Sequence, residues 1–486
     1  MNIRLVAHYL GRLSAGLGLI LIIPTLLAVY LGEEDGIAFV ITCGVSLILG
    51  IHLQTWGSNG SSPITELSMQ DSIGITGLGW LLINLLGTLP YILSGNLGIL
   101  DGIFETVAGF TGCGGTVFSD LSDLSYSLLL WRSITQWLGG LGIIVIFVAL
   151  LPQTSQSALQ LYQAEASKMS SGRRRPRLRE MVTTIFKIYL IFTSLAAIVY
   201  WLVGMTPFAA LNHALTTIST GGFSVYSDSI AYYHSPAVEM AVVFFMVLSG
   251  GNFNLYYSAY KNGLKVLWQD TEFRIYLGML AFATVFIAFS LMNAFNYSLG
   301  ESFRQAAFEV AAQDSTGFVA FDYEHWPAST QCVLVFLMLF GGCAGSTTAG
   351  LRVARLIMLV KMAIHAVEAA IHPHVHKTIS IDGQRIGNDV LYSVGKFFFL
   401  YMFFLGLWTL LYTLDGMSLY DGMGLSLAAM TTVGPGFGIV GAVENYGGLS
   451  SWSKIVTMLA MLMGRLEMFS ILALFTPEFW HRERGW

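Results

Sequence analysis

The sequence predicts an all-α integral membrane protein: an N-terminal helical hairpin, then four parallel helix–pore-loop–helix repeats around a pseudo-fourfold pore. Three observations predict it. Hydrophobic residues make up 55% of the 486 and charged residues only 11%, with a mean hydropathy of +0.65. A soluble chain carries about 25% charged residues. Ten apolar runs are long enough to cross a hydrocarbon core about 30 Å thick. Four of the connections between them contain a second, shorter apolar stretch that ends in glycine and hydroxyl residues. The net charge of −5 is uninformative, because in a membrane protein the placement of charge matters more than its sum.

The hairpin comes first, over residues 1–56, with apolar runs at Leu13–Leu31 and Ile37–Leu53. The first run is too long for a signal-peptide core and has no clear cleavage site, so the pair reads as retained helices. Repeat one (70–152) has runs at Ile73–Leu93 and Ser127–Leu151, and repeat two (180–262) at Thr183–Gly204 and Pro236–Tyr257. Repeat three (270–372) has Phe273–Leu291 and Thr330–Lys361, and repeat four (390–478) has Val394–Leu414 and Trp452–Leu474. That makes ten transmembrane helices. The four cysteines, Cys43, Cys113, Cys332 and Cys343, fall in or beside apolar segments and form no disulfide framework.

Charge sets the expected topology. The N-terminus, the run Lys168 to Lys187, the patch Lys261 to Arg274, the stretch Arg352 to Lys396 and the C-terminal Arg482 and Arg484 hold 20 of the 24 Lys and Arg. The alternate segments (32–36, 94–126, 205–235, 292–329 and 415–451) hold only Arg304, together with many carboxylates. By the positive-inside rule both termini are expected in the cytoplasm.

The outside segments carry the chemistry. The short apolar stretches are Leu100–Phe110, Phe208–Ile218, Leu299–Gln313 and Leu419–Met430, too short to span and suited to four re-entrant pore helices. They are followed by Thr111-Gly112-Cys113-Gly114, Ser219-Thr220-Gly221-Gly222, Asp314-Ser315-Thr316-Gly317 and Thr431-Thr432-Val433-Gly434. The aligned glycines Gly114, Gly222, Gly317 and Gly434 recur at intervals of 108, 95 and 117 residues. A single Thr-Gly-Gly is weak evidence, and glycine is common in membrane helices as a packing residue. Four in register constitute an internal repeat.

Each unit has two crossings, so all four enter the membrane in the same sense and can surround one axis. Non-helical backbone at membrane depth is tolerated only where protein buries it or it lines water. Helices descending from outside bring their partly negative carboxyl ends to mid-membrane, and rings of carbonyl oxygen replace a cation's hydration shell. The pattern implies cation passage.

The chain resembles the TrkH/KtrB potassium-transporter superfamily, specifically its TrkH-like branch, over essentially its whole length. The resemblance is carried by Ser219-Thr-Gly-Gly-Phe-Ser224, Gly341-Gly-Cys-Ala-Gly-Ser-Thr-Thr-Ala-Gly350, Thr431-Thr-Val-Gly-Pro-Gly436 and Gly464-Arg-Leu-Glu467. It implies K⁺ uptake by a channel-like route across the cytoplasmic membrane of a bacterium. It also implies a K⁺ selectivity filter at Thr111, Gly112, Cys113, Gly114, Thr220, Gly221, Gly222, Ser315, Thr316, Gly317, Thr432, Val433 and Gly434. The first loop departs from the commoner Thr-Thr-Gly pattern at Cys113, which bears on how strictly K⁺ is chosen over Na⁺. The resemblance further implies a homodimer and a cytoplasmic TrkA-like subunit that binds nucleotide.

Two features read as control elements. The second helix of repeat three is interrupted at Gly341–Gly350, where Gly341, Gly342, Gly345, Ser346, Thr347 and Gly350 replace helix-forming residues. In the family the matching stretch is an intramembrane loop that obstructs the pore. A tightly packed kinked helix is the other reading. Gly250-Gly-Asn-Phe-Asn254 is expected to break the matching helix of repeat two. Arg465 reads as the lone basic residue deep in a crossing, about 20 Å below Trp452 at 1.5 Å per residue. Either it faces the pore, as the resemblance implies, or it pairs with Glu467 or another buried carboxylate.

Other classes leave no trace. There is no Walker A sequence, His-Glu-x-x-His pair, nucleophile elbow or paired intramembrane Asp, so neither an enzyme nor a nucleotide site on this chain is expected. His372-Pro-His-Val-His376 lacks the companions of a metal tract. A proton- or Na⁺-coupled K⁺ symporter and a less selective K⁺/Na⁺ transporter stay open as alternatives. The basic run Arg173 to Arg179 serves either as a dock for a partner or as a topology anchor.

Overall fold

The computed structural model describes residues 1–58, 68–150, 178–372, 378–466 and 468–480. The chain is almost wholly helical. Two long helices, α1 (Ile3–Leu31) and α2 (Gly36–Ser58), form the hairpin. They approach closely because glycines face each other: a Cβ on Gly11 would lie 2.6 Å from the Gly50 carbonyl. Then follow α3 (Met69–Leu93), the short α4 (Ile99–Thr111) and α5 (Tyr126–Leu150). The pattern returns as α6 (Leu178–Leu202), short α7 (Pro207–Ile218), and α8 (Pro236–Ser249) with α9 (Phe253–Asn262). After the small α10 (Lys265–Gln269) come α11 (Thr271–Phe295), short α12 (Leu299–Ala311), α13 (Ala328–Leu339) and α14 (Val353–Ile371). The last set is α15 (Asn388–Leu414), short α16 (Leu419–Thr431), α17 (Ser451–Arg465) and α18 (Met468–Leu474), closed by the one-turn α19 (Pro477–Trp480).

Among the described residues six helices are individually long and apolar enough to cross a membrane: α1, α2, α3, α6, α11 and α15. The second helix of each of the last three sets is broken. α8 and α9 meet at 90° across the Gly250-Gly251 break that the sequence marks. α13 and α14 are separated at residues 340–352, and α17 ends at Arg465. Glu467, most of the basic run from Lys168, and His374 and His376 lie outside the described residues. One departure from all-α is a two-residue antiparallel ladder before α15, Ser380 opposite Arg385 and Ile381 opposite Gln384.

Burial is inverted relative to a soluble protein. Leu26, Val29, Ile48, Phe282 and Phe399 are exposed on the long helices, as a lipid-facing surface requires. The short helices are enclosed instead. From Phe104 to Thr111, Ala209 to Ile218 (bar Leu211), Gln305 to Ala311 and Gly424 to Thr431 their residues are buried, threonines, His213 and carboxylates included. Three of the four begin at a hydroxyl cap: Thr206, Ser298 and Ser418 accept from the backbone N–H three residues on.

Candidate filter and gate

Each short helix ends in a turn that points its chain at the other three. α4 is stopped by Gly112 at φ +73, and α7 and α16 by Thr220 and Thr432, both at φ +55. Non-glycine residues in the left-handed region are uncommon and strained, so two threonines at matching positions mark sites where the surroundings impose the backbone. α12 instead widens into a π turn, Ala312–Thr316, before Gly317 at φ +76.

The loops converge. A Cβ on Gly114 would lie 2.8 Å from the Val433 carbonyl, 3.1 Å from that of Gly221 and 3.3 Å from that of Gly317, one from each of the other loops. A Cβ on Gly222 would meet the Thr316 carbonyl at 2.2 Å, and one on Gly317 the Val433 carbonyl at 1.7 Å. Gly434 lies equally close to Gly114, and Gly114 N donates to Val433 O at 3.2 Å. No side chain fits at these four positions. They are nevertheless unequal: Gly222, Gly317 and Gly434 have positive φ and Gly114 does not, the left-handed residue of the first loop being Gly112. Thr111, Cys113, Thr220, Gly221, Thr316, Thr432 and Val433 are buried around them.

Polar side chains that the sequence reading did not single out hold these loops. Gln136 Nε2 donates to Gly221 O at 2.7 Å and Cys113 O at 3.2 Å, while its Oε1 accepts from Phe223 N at 2.9 Å, so one amide ties the first loop to the second. Arg132 adds a second tie: Nε to Glu105 Oε1 at 2.8 Å, Nη2 to Thr116 Oγ1 at 3.1 Å and Nη1 to Ser224 O at 2.9 Å. Its guanidinium also sits 4.4 Å from the Phe223 ring centroid. Glu105 in turn accepts from Val117 N at 3.0 Å. Glu309 makes the matching bond to Phe321 N at 3.2 Å, and at the corresponding place in the second repeat His213 Nε2 lies 2.9 Å from Ser224 Oγ. Two phenols serve the fourth loop, Tyr446 bonding to Gly434 O and Tyr323 to Gly436 O at 2.7 Å. Arg132 and Glu105 left a signal, a basic residue inside an apolar run and an acid inside a short one. Gln136 left none, because an uncharged amide in a long apolar run has many ordinary uses.

Arg132, at 1% exposure, also corrects the expectation that Arg465 is the lone buried cation of the crossings. Arg465 is 4% exposed and ends on carbonyls: Nη1 donates to Thr347 O at 2.6 Å and Nη2 to Gly139 O at 3.0 Å. A Cβ on Gly112 would lie 3.8 Å from Arg465 Nη1, so the guanidinium stands directly against the first loop.

Thr347 belongs to the interrupted segment, which is not helical. Gly342, Gly345 and Gly350 have φ of +66, +81 and +79. Thr347 Oγ1 donates to Ile218 O at 3.1 Å and lies 3.2 Å from Thr220 Oγ1. The segment therefore reaches from α13 to the base of the second loop and to Arg465. Neighbouring backbone and one carboxyl hold it there: Cys343 N bonds to Gly250 O at 2.7 Å, Phe253 N to Gly345 O at 3.2 Å and Ala344 N to the Glu272 side chain, Oε1, at 2.6 Å. Ser346 Oγ folds back on Cys343 O at 2.7 Å, while Gly341 packs against the Asp314 carbonyl.

Known proteins are similar to this chain in sequence and in shape. The family model TrkH, described as a cation transport protein, matches residues 38–482. The Trk system potassium uptake protein TrkH of Escherichia coli K12 is 33% identical over 487 residues, covering 99% of this chain and 100% of its own length. TrkI of Halomonas elongata, another Trk system potassium uptake protein, is 30% identical over 96% of this chain and 94% of its own. The crystal structure of the potassium transporter TrkH from Vibrio parahaemolyticus superposes with a TM-score of 0.89 at 30% identity, over 99% of this chain and 100% of that one.

Proposed function

The chain belongs to the TrkH family of cation transport proteins, a family of transporters and not of enzymes, and we propose that it takes up K⁺ by channel-like passage between its four glycine loops. The observation that carries this reading is the approach of three carbonyls, from Gly221, Gly317 and Val433, to the single position Gly114. Carbonyls presented from several sides are what a dehydrated monovalent cation requires. Ten crossings, two in the hairpin and eight in four parallel repeats, with both termini in the cytoplasm of a bacterium, agree with the charge distribution. The short helices aim their carboxyl ends at the loops and add negative potential there.

The segment 341–350 and Arg465 form the barrier below the filter. Thr347 lies against Thr220 and Ile218, and Arg465 sets a positive charge against the first loop. A cation leaving the filter meets both. Opening then requires the segment to withdraw, and with it the carbonyl that holds Arg465. A homodimer and a cytoplasmic nucleotide-binding subunit complete the reading by family likeness, the subunit supplying the free energy that moves the segment.

The test is cation flux into vesicles holding the purified protein, measured separately for K⁺, Rb⁺ and Na⁺. Entry of K⁺ and Rb⁺ well ahead of Na⁺, with currents reversing at the K⁺ equilibrium potential, supports the channel reading. A reversal potential that follows the pH or Na⁺ gradient instead assigns a coupled symporter, and equal Na⁺ entry a less selective transporter.

A further inference from the structure

The third loop differs from the others in what stands before it. Asp314 immediately precedes Ser315, Thr316 and Gly317, is 3% exposed, and sits within the π turn that ends α12. Such a turn places an extra residue in the helical ladder and is frequent at functional sites. The carboxyl so placed meets the interrupted segment: Oδ1 accepts from Gly342 N at 3.2 Å. Its other oxygen, Oδ2, accepts from Tyr276 Oη at 3.2 Å, a hydroxyl also 3.1 Å from Val247 O.

Main chain touches main chain at the same place. A Cβ on Gly341 would lie 1.8 Å from the Asp314 carbonyl, and one on Gly250 would lie 2.3 Å from Tyr276 Oη and 3.0 Å from Asp314 Oδ2. One carboxyl thus joins the third loop, the α8–α9 break and the start of segment 341–350. Both of its partners are neutral donors. Burying a carboxyl costs free energy that a space-filling apolar residue would not incur, so packing does not account for it. The geometry does. Asp314 is two residues from Thr316, and Gly342 is five from Thr347, which rests under the second loop and on Arg465.

We propose that Asp314 is a positioning residue that couples the third filter loop to segment 341–350, so that the ion held in the filter and the placement of the segment bias each other. This rests on the reading of the loops as a K⁺ filter. Withdrawal of the segment pulls Gly342 from Oδ1 and frees the backbone that presents the Ser315 and Thr316 carbonyls. Reciprocally, an ion that fixes those carbonyls holds Asp314, and through it the segment. Coupling between two sites is necessarily reciprocal.

The test uses the full chain in vesicles and reads the alkylation rate of Cys343, a buried thiol of the segment, by a membrane-permeant maleimide. Peptide mass spectrometry separates Cys343 from the other cysteines. Changing K⁺ for choline is expected to alter the rate about fivefold in the native protein. Asp314→Ala collapses that ratio toward one. Asp314→Asn retains it, because an amide keeps an oxygen for Gly342 N–H and donates to Tyr276 Oη. Should Asp314→Ala not fold, Tyr276→Phe, which frees Oδ2 and Val247 O and leaves the Gly342 bond in place, reduces the ratio. A native protein whose Cys343 rate ignores K⁺ overturns the coupling, as does a folded Asp314→Ala or Tyr276→Phe with the native ratio. Failure of the filter reading is seen separately, as unchanged K⁺ over Na⁺ flux in the serine variants of Gly114, Gly222, Gly317 and Gly434, a measurement that does not involve Cys343.

Discussion

Arg465 Nη1 donates to the Thr347 carbonyl at 2.6 Å, so a guanidinium standing against the first loop is held by the same segment whose Thr347 side chain bonds at the base of the second. Charge and segment are thereby joined. Neither can move far without changing the other.

Replacing Arg465 by Ala is therefore expected to raise basal Rb⁺ flux by about tenfold or more. A unit charge a few Å from the ion path is worth more than the ~1.4 kcal/mol that a tenfold change requires, at the effective dielectric of a partly buried site. Arg465→Lys, which keeps the charge but cannot reach both carbonyls, is expected to fall between. A well-folded Arg465→Ala with native or lower flux removes the barrier role.

Gly222 has φ +82 and its Cβ position is 2.2 Å from a carbonyl of the third loop. Gly222→Ser must displace that carbonyl, and with it the fit to K⁺. The expected loss of K⁺ over Na⁺ preference is about tenfold, the effect of ~1.4 kcal/mol in differential binding. Paired isotope uptake reads it. Serine at Gly114, Gly317 and Gly434 is expected to act alike, and full selectivity in all four variants removes the filter assignment.

Gln136→Leu strips the hydrogen bonds to Cys113 O, Gly221 O and Phe223 N at once. Buried backbone groups left without partners cost about 1–3 kcal/mol each, so the melting temperature in detergent falls and the flux becomes less selective. Native melting and native selectivity together would show that the amide ties nothing.

The buried pair Glu105–Arg132 gives a prediction with an internal control. Arg132→Met alone strands a buried carboxylate and is expected to destabilise the protein by about 3–5 kcal/mol. The double variant Glu105→Gln with Arg132→Met is expected to recover part of that loss, because the amide can still accept from Val117 N. Thermal unfolding of the two variants decides it. A double variant no better than the single one means that the carboxylate was not the source of the loss.

Architecture was legible because bilayer crossing imposes long apolar runs, and because the loops repeat. Seen singly, Thr-Gly-Gly at 220–222 says little; in register with three partners it marked chain that the structure brings to one place. The breaks at 250–251 and 341–350 were legible for a similar reason, since a glycine-rich run cannot continue a membrane helix. What was not legible is the tie of loop to loop. Gln136 lies 85 residues from Gly221, Asp314 lies 28 from Gly342, and Arg465 is 118 from Thr347. Such pairs follow from packing of elements distant in sequence, which residue spacing does not encode. The inequality of Gly114 was hidden too, because φ is set by the end of α4 and not by the letter at 114.

The two sides of the loop cluster are held by different means. Loops one and two share Gln136 and the Arg132–Glu105 pair, an amide and two charges with several bonds each. The third loop is held by a π turn, by Asp314 Oδ1 accepting from Gly342 N and by Glu309 Oε1 accepting from Phe321 N. The loops are thus held unevenly, the first two to each other by a shared amide and an ion pair, the third to segment 341–350 by one buried carboxyl. In the channel reading proposed above, selection by size falls to the side tied by Gln136, and the adjustment that accompanies opening falls to the side that carries Asp314.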